Sequence, residues 1–391
     1  MESINALNLT GLPKIFFGAG AISQLPEIIA SHGRQALIIT GGESFKNSGV
    51  WGALTMQLNR AQIRCKAISV RGEPAAAAID AIAREYRQTA VTVVVAIGGG
   101  SVIDCGKAVA AMLAETGFVK DYLEGIGTKK PSGAKVPFIA VPTTAGTGSE
   151  ATNNAVLCDR KEGYKKSLRH DAYVPDVALI DPRLTLTLPP PLTVACGLDA
   201  VAQLIESYTS TKADETMDAA ALKALSFAIE SLPLLALDRG NDLALREKMS
   251  YAALVSGITL NRAGLGAVHG IAGPLGGLCP VPHGVACGKL LFPVMSFVVK
   301  KVIDEKNLAA QKRFADIGRI FAKTEDQDDP FYCRQLLDAL HQWTQTLKLP
   351  QLSGFGMTAA LMAQTVALAD SKNSPARLSP KEIKVILETV R

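Results

Sequence analysis

Short, continuous apolar runs recur along the first half of the chain, and most of them end at glycine or proline. The clearest is AVTVVVAIGGG at 90–100. Runs of Val, Ile and Ala without polar alternation are typical of strands buried on both faces, as in a parallel sheet. The other runs that we predict to be strands are 35–40, 63–70, 136–144 and 177–181.

Helical patterns lie between these runs, for example at 75–89 and 101–115. Alternation of strands and helices, with glycines at the strand ends, predicts a Rossmann-like, doubly wound α/β domain. In this architecture ligands bind outside the carboxyl ends of the parallel strands. Binding residues are therefore expected in the segments that follow the strands.

The pattern changes at three consecutive prolines, 189–191, which end whatever element precedes them. From there to the C-terminus apolar residues recur at helical spacing and strand patterns are nearly absent. We predict an α/β N-terminal parallel-sheet domain over 1–188. We predict an all-α C-terminal domain over 189–391.

Composition excludes several classes of protein. Apolar residues make up 48% and charged residues 20%, which is ordinary for a folded soluble protein and excludes a disordered one. The net charge is +5 without a run of five basic residues, so we expect no nucleic-acid partner. The seven cysteines form no CxxC pair, which favours a reducing cytoplasm. We predict neither a signal peptide nor a transmembrane helix.

The segment AIGGGSVIDCGK follows a predicted strand and opens a predicted helix. Gly98, Gly99 and Gly100 let the backbone approach a phosphate, and Ser101 can bond it or cap the helix. We assign Asp104, one turn further on, to the same cofactor site. The spacing is not GxGxxG, so a tight strand-to-helix turn without a ligand is the alternative.

A second loop of similar composition, VPTTAGTGSEAT, follows the next predicted strand. Thr143, Thr144, Thr147 and Ser149 supply hydroxyl groups, and the intervening glycines supply flexibility. Two phosphate-binding loops after consecutive strands indicate a dinucleotide that spans the sheet.

The end of the first predicted strand, where an acidic residue often binds the adenosine ribose, carries Gly41 instead. A glycine does not repel a 2′-phosphate, and Lys46 is close enough in sequence to pair with one. NAD(P) is thus the expected cofactor, with a slight preference for NADP. The alternative is that Glu43 binds the ribose and the cofactor is NAD.

Candidate metal ligands occur in the predicted helical domain. Asp199 and Gln203 are four residues apart, so on a helix they share one face. This spacing fits two metal ligands, and it also fits a polar stripe exposed to solvent. His269 and His283 lie in a segment rich in glycine and proline. Taken alone, this histidine pair fits a structural role as well as a metal site.

Seven stretches together resemble the iron-containing (group III) alcohol dehydrogenase family over essentially the whole chain. In order they are GGGSVIDCGKAVA, PTTAGTGSEATNNAV, PDVALIDPRLTLTLPP, GLDAVAQLIESYTS, GLGAVHGIAGPLGG, PHGVACGKLLFPVM and NSPARLSPKEI. The resemblance implies an NAD(P)-dependent enzyme that interconverts small alcohols and aldehydes, usually as a homodimer or a higher homo-oligomer.

The resemblance also implies four metal ligands: an Asp, a His four residues later, and two further His. Asp199, His269 and His283 match this pattern, whereas Gln203 stands where the family has histidine. The family often has another histidine near the nicotinamide, where this chain has Gly273. By resemblance Asp199, His269 and His283 are also the catalytic residues.

An amide oxygen is a harder and weaker donor than imidazole, so we expect a divalent metal, Fe or Zn, that binds weakly. The alternative is a metal-free site whose side chains hydrogen-bond the substrate oxygen. Two other functions stay open: a maleylacetate-type reductase of acidic carbonyl substrates, and a non-catalytic nucleotide-binding protein. Gly273 also leaves space for a bulkier or more polar substrate.

Overall fold

The computed structural model describes residues 11–322 and 324–391. The described chain forms two compact units, each built from separated segments. Unit 1 contains the chain up to Thr143, then Ser149–Leu157 and Lys166–Asp181, and unit 2 contains Thr144–Gly148, Cys158–Lys165 and Pro182–Arg391. The prediction that the chain carries no signal peptide concerns mainly residues 1–10, which lie outside the described residues.

Unit 1 is built on a six-stranded sheet in which every strand pair is parallel. Its strands are β1 (Lys14–Phe17), β2 (Gln35–Thr40), β3 (Arg64–Ser69), β4 (Val93–Gly98), β5 (Phe138–Pro142) and β8 (Val177–Ile180). Their order across the sheet is β1-β8-β5-β4-β2-β3. The interior strands β4 and β5 are buried along their whole length, as their unbroken apolar composition predicts.

Four helices connect the strands of unit 1: α1 (Leu25–His32), α2 (Gly49–Arg60), α3 (Ala76–Tyr86) and α4 (Gly100–Ala114). The five predicted strands are confirmed, and so are the two helical patterns at α3 and α4. The Rossmann-like α/β class is confirmed with them. Parallel pairing requires a crossover between strands, and these helices supply it.

The sequence pattern missed β1 and a two-stranded sheet formed by β6 (Asn154–Asp159) and β7 (Tyr164–Arg169). β1 is only four residues long. β7 carries Lys165, Lys166 and Arg169, so it has no continuous apolar run to reveal it. Short or charged strands leave too weak a periodicity to detect.

Unit 2 is helical apart from the end of β6 and the start of β7 within Cys158–Lys165, and no strand follows Ile180 in the described part of the chain. Its helices are α5 (Pro190–Tyr208), α6 (Asp218–Leu237), α7 (Leu243–Ala263), α8 (Ala267–Leu278), α9 (His283–Asp304), α10 (Leu308–Phe321), α11 (Asp329–Thr346), α12 (Ala359–Leu368) and α13 (Pro380–Val390). One continuous core of Leu, Val, Ile and Ala side chains joins them. The predicted all-α second half is confirmed.

One helical stretch of the described chain, Glu215–Leu237, is long and apolar enough to cross a membrane by length and composition. The buried core helix of a soluble protein passes the same test, so a single such helix is weak evidence for a membrane span. Within it, Ala224, Leu225, Ala228 and Leu232 are fully buried in the core of unit 2. This face of α6 contacts other helices of the same unit.

Lys107 joins α4 to the segment that precedes the β6–β7 sheet. Its Nζ donates to the carbonyl oxygens of Ser149 (2.8 Å), Thr152 (2.7 Å) and Asn154 (2.7 Å). It also contacts the Thr152 hydroxyl at 2.9 Å. Burial lowers the pKa of Lys107 to about 8, although nearby Asp104 favours the charged form. One buried ammonium group therefore fixes three backbone carbonyls of unit 1.

We predict that Lys107→Met, which keeps the side-chain length, lowers the free energy of unfolding by roughly 3 kcal/mol or more. The reason is that the buried acceptors lose their donor while little volume is lost. Urea unfolding measures the change, and Lys66→Met, at an exposed lysine of β3, is the matched control. Equal stability of the two variants would show that Lys107 does not hold this segment.

Candidate active site

Helix α5 carries a line of acidic and amide side chains on a buried face. Asp199, Gln203 and Glu206 follow one another at intervals of four and three residues, so they share one side of the helix. All three are buried, with at most 3% of each residue exposed. Buried charges need specific partners, and two of these partners are histidines of the predicted metal site.

His269, on α8, is held between two carboxylates of α5. Its Nδ1 lies 2.6 Å from Glu206 Oε2, and its Nε2 lies 3.3 Å from Asp199 Oδ1. The other oxygen of Glu206, Oε1, accepts from the backbone N–H of Val268. When Nδ1–H donates to Glu206, Nε2 is left as the electron-pair donor. This carboxylate–imidazole arrangement orients metal-binding histidines in many proteins.

Helix α9 adds a second imidazole and a thiol to the same point. His283 is the first residue of the helix, and its Nε2 lies 3.8 Å from Asp199 Oδ1. Cys287 Sγ lies 3.6 Å from His269 Nε2 and 3.7 Å from His283 Nε2. One donor atom from each of these four residues lies within 4.8 Å of the other three. We call Asp199, His269, His283 and Cys287 the donor cluster.

The pKa values in the donor cluster reflect burial and the close approach of its charged groups. Burial opposes ionisation of Asp199, but His283 and His269 outweigh it and hold the pKa of that carboxyl below its ordinary value. Burial alone would lower the pKa of His269, yet Cys287 and Glu206 raise it well above its ordinary value. Burial raises the pKa of the Cys287 thiol to about 11. A carboxylate, two imidazoles and a thiol at this spacing fit a divalent transition metal.

Gln203, the fourth predicted metal residue, makes a hydrogen bond of its own. Its Oε1 accepts from Ser256 Oγ at 2.7 Å, and Ser256 belongs to α7. The amide oxygen that would serve as a metal donor is therefore engaged with a hydroxyl group. The assignment of Gln203 as a ligand stays a prediction.

The glycine loop after β4 has the geometry of a close strand-to-helix turn. A Cβ on Gly98 would lie 2.6 Å from Val102, so only glycine fits there. Gly99 is the N-cap of α4 and has no side chain to cap it, and Gly100 and Ser101 are the first residues of the helix. These donors suit an anion such as a phosphate.

Asp104 faces the interior of unit 1. Its Oδ2 accepts from the backbone N–H of Val156 at 3.2 Å. Gly41 follows β2, and a Cβ there would lie 3.5 Å from Val102, an ordinary contact. Glu43, the alternative ribose ligand, lies 3.9 Å from Arg71 in an exposed ion pair.

The second predicted phosphate loop is divided between the two units. Thr143 and Ser149 belong to unit 1, and the Ser149 carbonyl accepts from Lys107. Thr144 and Thr147 belong to unit 2, where the Thr144 side chain hydrogen-bonds the thiol of Cys196.

The glycines of this loop contact helices of unit 2. A Cβ on Gly146 would lie 2.8 Å from Cys196 of α5. Gly148 has a φ of +62°, and a Cβ there would lie 2.5 Å from Gly257 of α7. Close packing accounts for both glycines, whereas the sequence suggested flexibility.

Sequence reasoning missed Cys287 and Glu206, although both leave a signal. Cys287 follows His283 by one helical turn, and Glu206 follows Asp199 by two turns on one face of α5. Both spacings could have been found once His283 and Asp199 were assigned to helices. The prolines around His283 obscured where α9 begins.

Comparisons with known proteins agree over nearly the whole chain. Residues 13–182 match the family described as iron-containing alcohol dehydrogenase, and residues 193–390 match the C-terminal part of that family. The chain is 33% identical over 382 residues to the 1,3-propanediol dehydrogenase of Citrobacter freundii, covering 95% of each chain. It is 38% identical over 259 residues to the probable alcohol dehydrogenase EutG of Salmonella typhimurium, covering 66% of this chain and 62% of that one.

A solved structure has the same fold. The crystal structure of a 1,3-propanediol oxidoreductase superposes with a TM-score of 0.87 at 27% identity, covering 97% of this chain and 98% of that one. The match therefore includes both the parallel sheet and the helical half.

We predict that Gln203→His increases metal retention, because imidazole is a stronger donor than an amide oxygen. Metal retention is measured as the metal content that remains during dialysis against a chelator. If position 203 faces the metal, we expect the variant to retain it at least about threefold longer. Gln311→His, at a buried glutamine of α10, is the matched control. Unchanged retention would place position 203 outside the coordination sphere.

Proposed function

The chain belongs to the iron-containing alcohol dehydrogenase family and interconverts alcohols and aldehydes with a nicotinamide cofactor, and we propose that Asp199, His269 and His283 are its catalytic residues. The observation that carries this proposal is the donor cluster, in which these side chains converge with Cys287. Family membership implies NAD(H) and a divalent metal as cofactors. A metal held by the cluster would polarise the substrate oxygen as a Lewis acid.

Each protein group has a separate task in this proposal. Asp199 contributes negative charge at a buried point, where it attracts a cation strongly. Glu206 fixes the ring of His269 so that Nε2 faces the cluster. Ser256 holds the amide of Gln203, which we retain as a weak fourth ligand. The nicotinamide supplies or accepts the hydride, and the protein orients the reacting groups.

For the dinucleotide we propose Gly41, the 98–101 turn, Asp104, Thr143, Thr144, Thr147 and Ser149. The start of α4, where the N-cap residue is a glycine without a side chain, supports a phosphate next to Gly100. We propose a slight preference for NADP, because a cation, Arg71, lies close to the end of β2. Its Nε would be 3.7 Å from a Cβ placed on Gly42, which follows that strand. Arg71, which pairs with the exposed Glu43, and Lys46 are then the cations that a 2′-phosphate would contact.

We further propose that residues 1–188 bind the dinucleotide and residues 189–391 bind the metal and substrate. The metal is proposed to be iron or zinc, and the enzyme a cytoplasmic homodimer or higher homo-oligomer that binds neither nucleic acid nor membrane. The seven free cysteines support the compartment. Neither the reductase of acidic carbonyl substrates nor the non-catalytic protein is favoured by the relatives.

We predict that the purified enzyme reduces small aldehydes and that chelation lowers kcat by at least about tenfold, because the substrate oxygen loses its polarising group. Both effects are measured as the oxidation of NADH and NADPH with a panel of aldehydes. The rates are compared before chelation, after chelation, and after zinc or iron is restored. We expect a higher kcat/KM with NADPH than with NADH. Turnover indifferent to chelation would support the metal-free site, and no turnover with any aldehyde would support a non-catalytic protein.

We predict that Gly273→His is tolerated structurally and changes substrate preference. A Cβ at Gly273 meets no described atom within 4 Å, and this residue lies one turn after His269 on α8. The imidazole would fill that space, so kcat/KM for bulky or polar aldehydes should fall relative to acetaldehyde. Gly354→His, at another glycine with open space, is the control. Unchanged relative kcat/KM values would remove Gly273 from the substrate site.

A further inference from the structure

Cys287 occupies a position in the donor cluster that packing alone does not explain. It lies one helical turn after His283 on α9, so both side chains project from the same face of that helix. The residue is fully buried. Its sulfur contacts the rings of His269 and His283, which come from two different helices.

Other buried cysteines of the chain use their sulfur differently. Cys333 Sγ donates to the carbonyl oxygen of Gln311 at 3.5 Å, and Cys158 Sγ to that of Gly276 at 3.8 Å. Each is a thiol bonded to a backbone acceptor, which is ordinary for a buried cysteine. Cys287 instead faces two ring nitrogens and the carboxylate of Asp199.

The spacing of three donor pairs is close to that of one tetrahedral ion, and a fourth pair, His283 Nε2 and Asp199 Oδ1, is longer at 3.8 Å. With zinc–sulfur bonds of about 2.3 Å and zinc–nitrogen bonds of about 2.05 Å, tetrahedral geometry places sulfur and nitrogen about 3.6 Å apart. Sγ of Cys287 lies 3.6 Å from one imidazole Nε2 and 3.7 Å from the other. The same geometry places nitrogen and oxygen about 3.4 Å apart. His269 Nε2 and Asp199 Oδ1 are 3.3 Å apart.

We propose that Cys287 is a metal ligand, and that its sulfur, in place of the weak amide of Gln203, makes up for the imidazole that this chain lacks at position 203. The substrate oxygen would then bind as a fifth ligand. The inference rests on the metal-assisted function proposed above and adds a thiolate to the ligand set. On binding, the metal–sulfur bond replaces the S–H bond and the proton leaves to solvent. Because thiolate is a soft donor, the site selects zinc over oxygen-loving cations such as Mg²⁺.

Cobalt(II) tests the proposal directly, because cobalt bound to a thiolate shows a sulfur-to-metal charge-transfer band in the near ultraviolet. The full-length protein is freed of metal with a chelator and titrated with Co²⁺. We expect the band in the wild type and in Cys333→Ala, the matched control at another buried cysteine. We expect Cys287→Ser and Cys287→Ala to lose the charge-transfer band. We also expect the zinc affinity of these two variants to fall by at least about tenfold, as measured by competition with a chromophoric chelator.

The outcomes separate this inference from the proposed reaction. Wild-type protein that binds Co²⁺ without the band, or Cys287→Ser with unchanged zinc affinity, would overturn the thiolate ligand and leave the metal-assisted reaction intact. A wild type that takes up no Co²⁺ at all would overturn both. The wild-type spectrum needs no substitution, so it decides the question even where a variant folds poorly.

Discussion

The contact between Glu206 and His269 is the interaction on which the rest of the site depends. One carboxylate of α5 accepts from the backbone N–H of Val268 and from the ring of His269, so it fixes both the start of α8 and the side chain that follows. The ring then has only one nitrogen left to offer. That nitrogen faces Asp199, two turns earlier on α5.

Because the site is buried, the charges of its carboxylates must be balanced as well as positioned. Asp199 and Glu206 are both nearly inaccessible to water, and two carboxylates in such surroundings need compensating positive charge. His269 lies between them and can compensate only one of the two carboxylates fully. A divalent cation would satisfy the remaining negative charge. The buried carboxylates of the helical half therefore carry negative charge that a bound metal ion can neutralise.

The sheet of unit 1 could be predicted because interior parallel strands leave unbroken apolar runs, as at β4 and β5. β1 and β7 could not, since one is four residues long and the other is rich in lysine. The spacing of His269 and His283 left a structural role open, and the resemblance to a family was needed to assign them. Cys287 could not be assigned because the prolines before His283 obscure the start of α9 in the sequence, and with it the residue one turn later.

The loop after β5 has a consequence for how this chain can be divided. Gly146 and Gly148 pack against α5 and α7, yet they lie more than forty residues before α5 begins at Pro190. A fragment that begins at Pro190 would carry the helices without the segment that packs against Gly257. In a chimaera made by joining the halves of two relatives, this loop would come from one relative and the helices that it packs against from the other. The interior would then be mismatched, even though each half looks complete in the sequence.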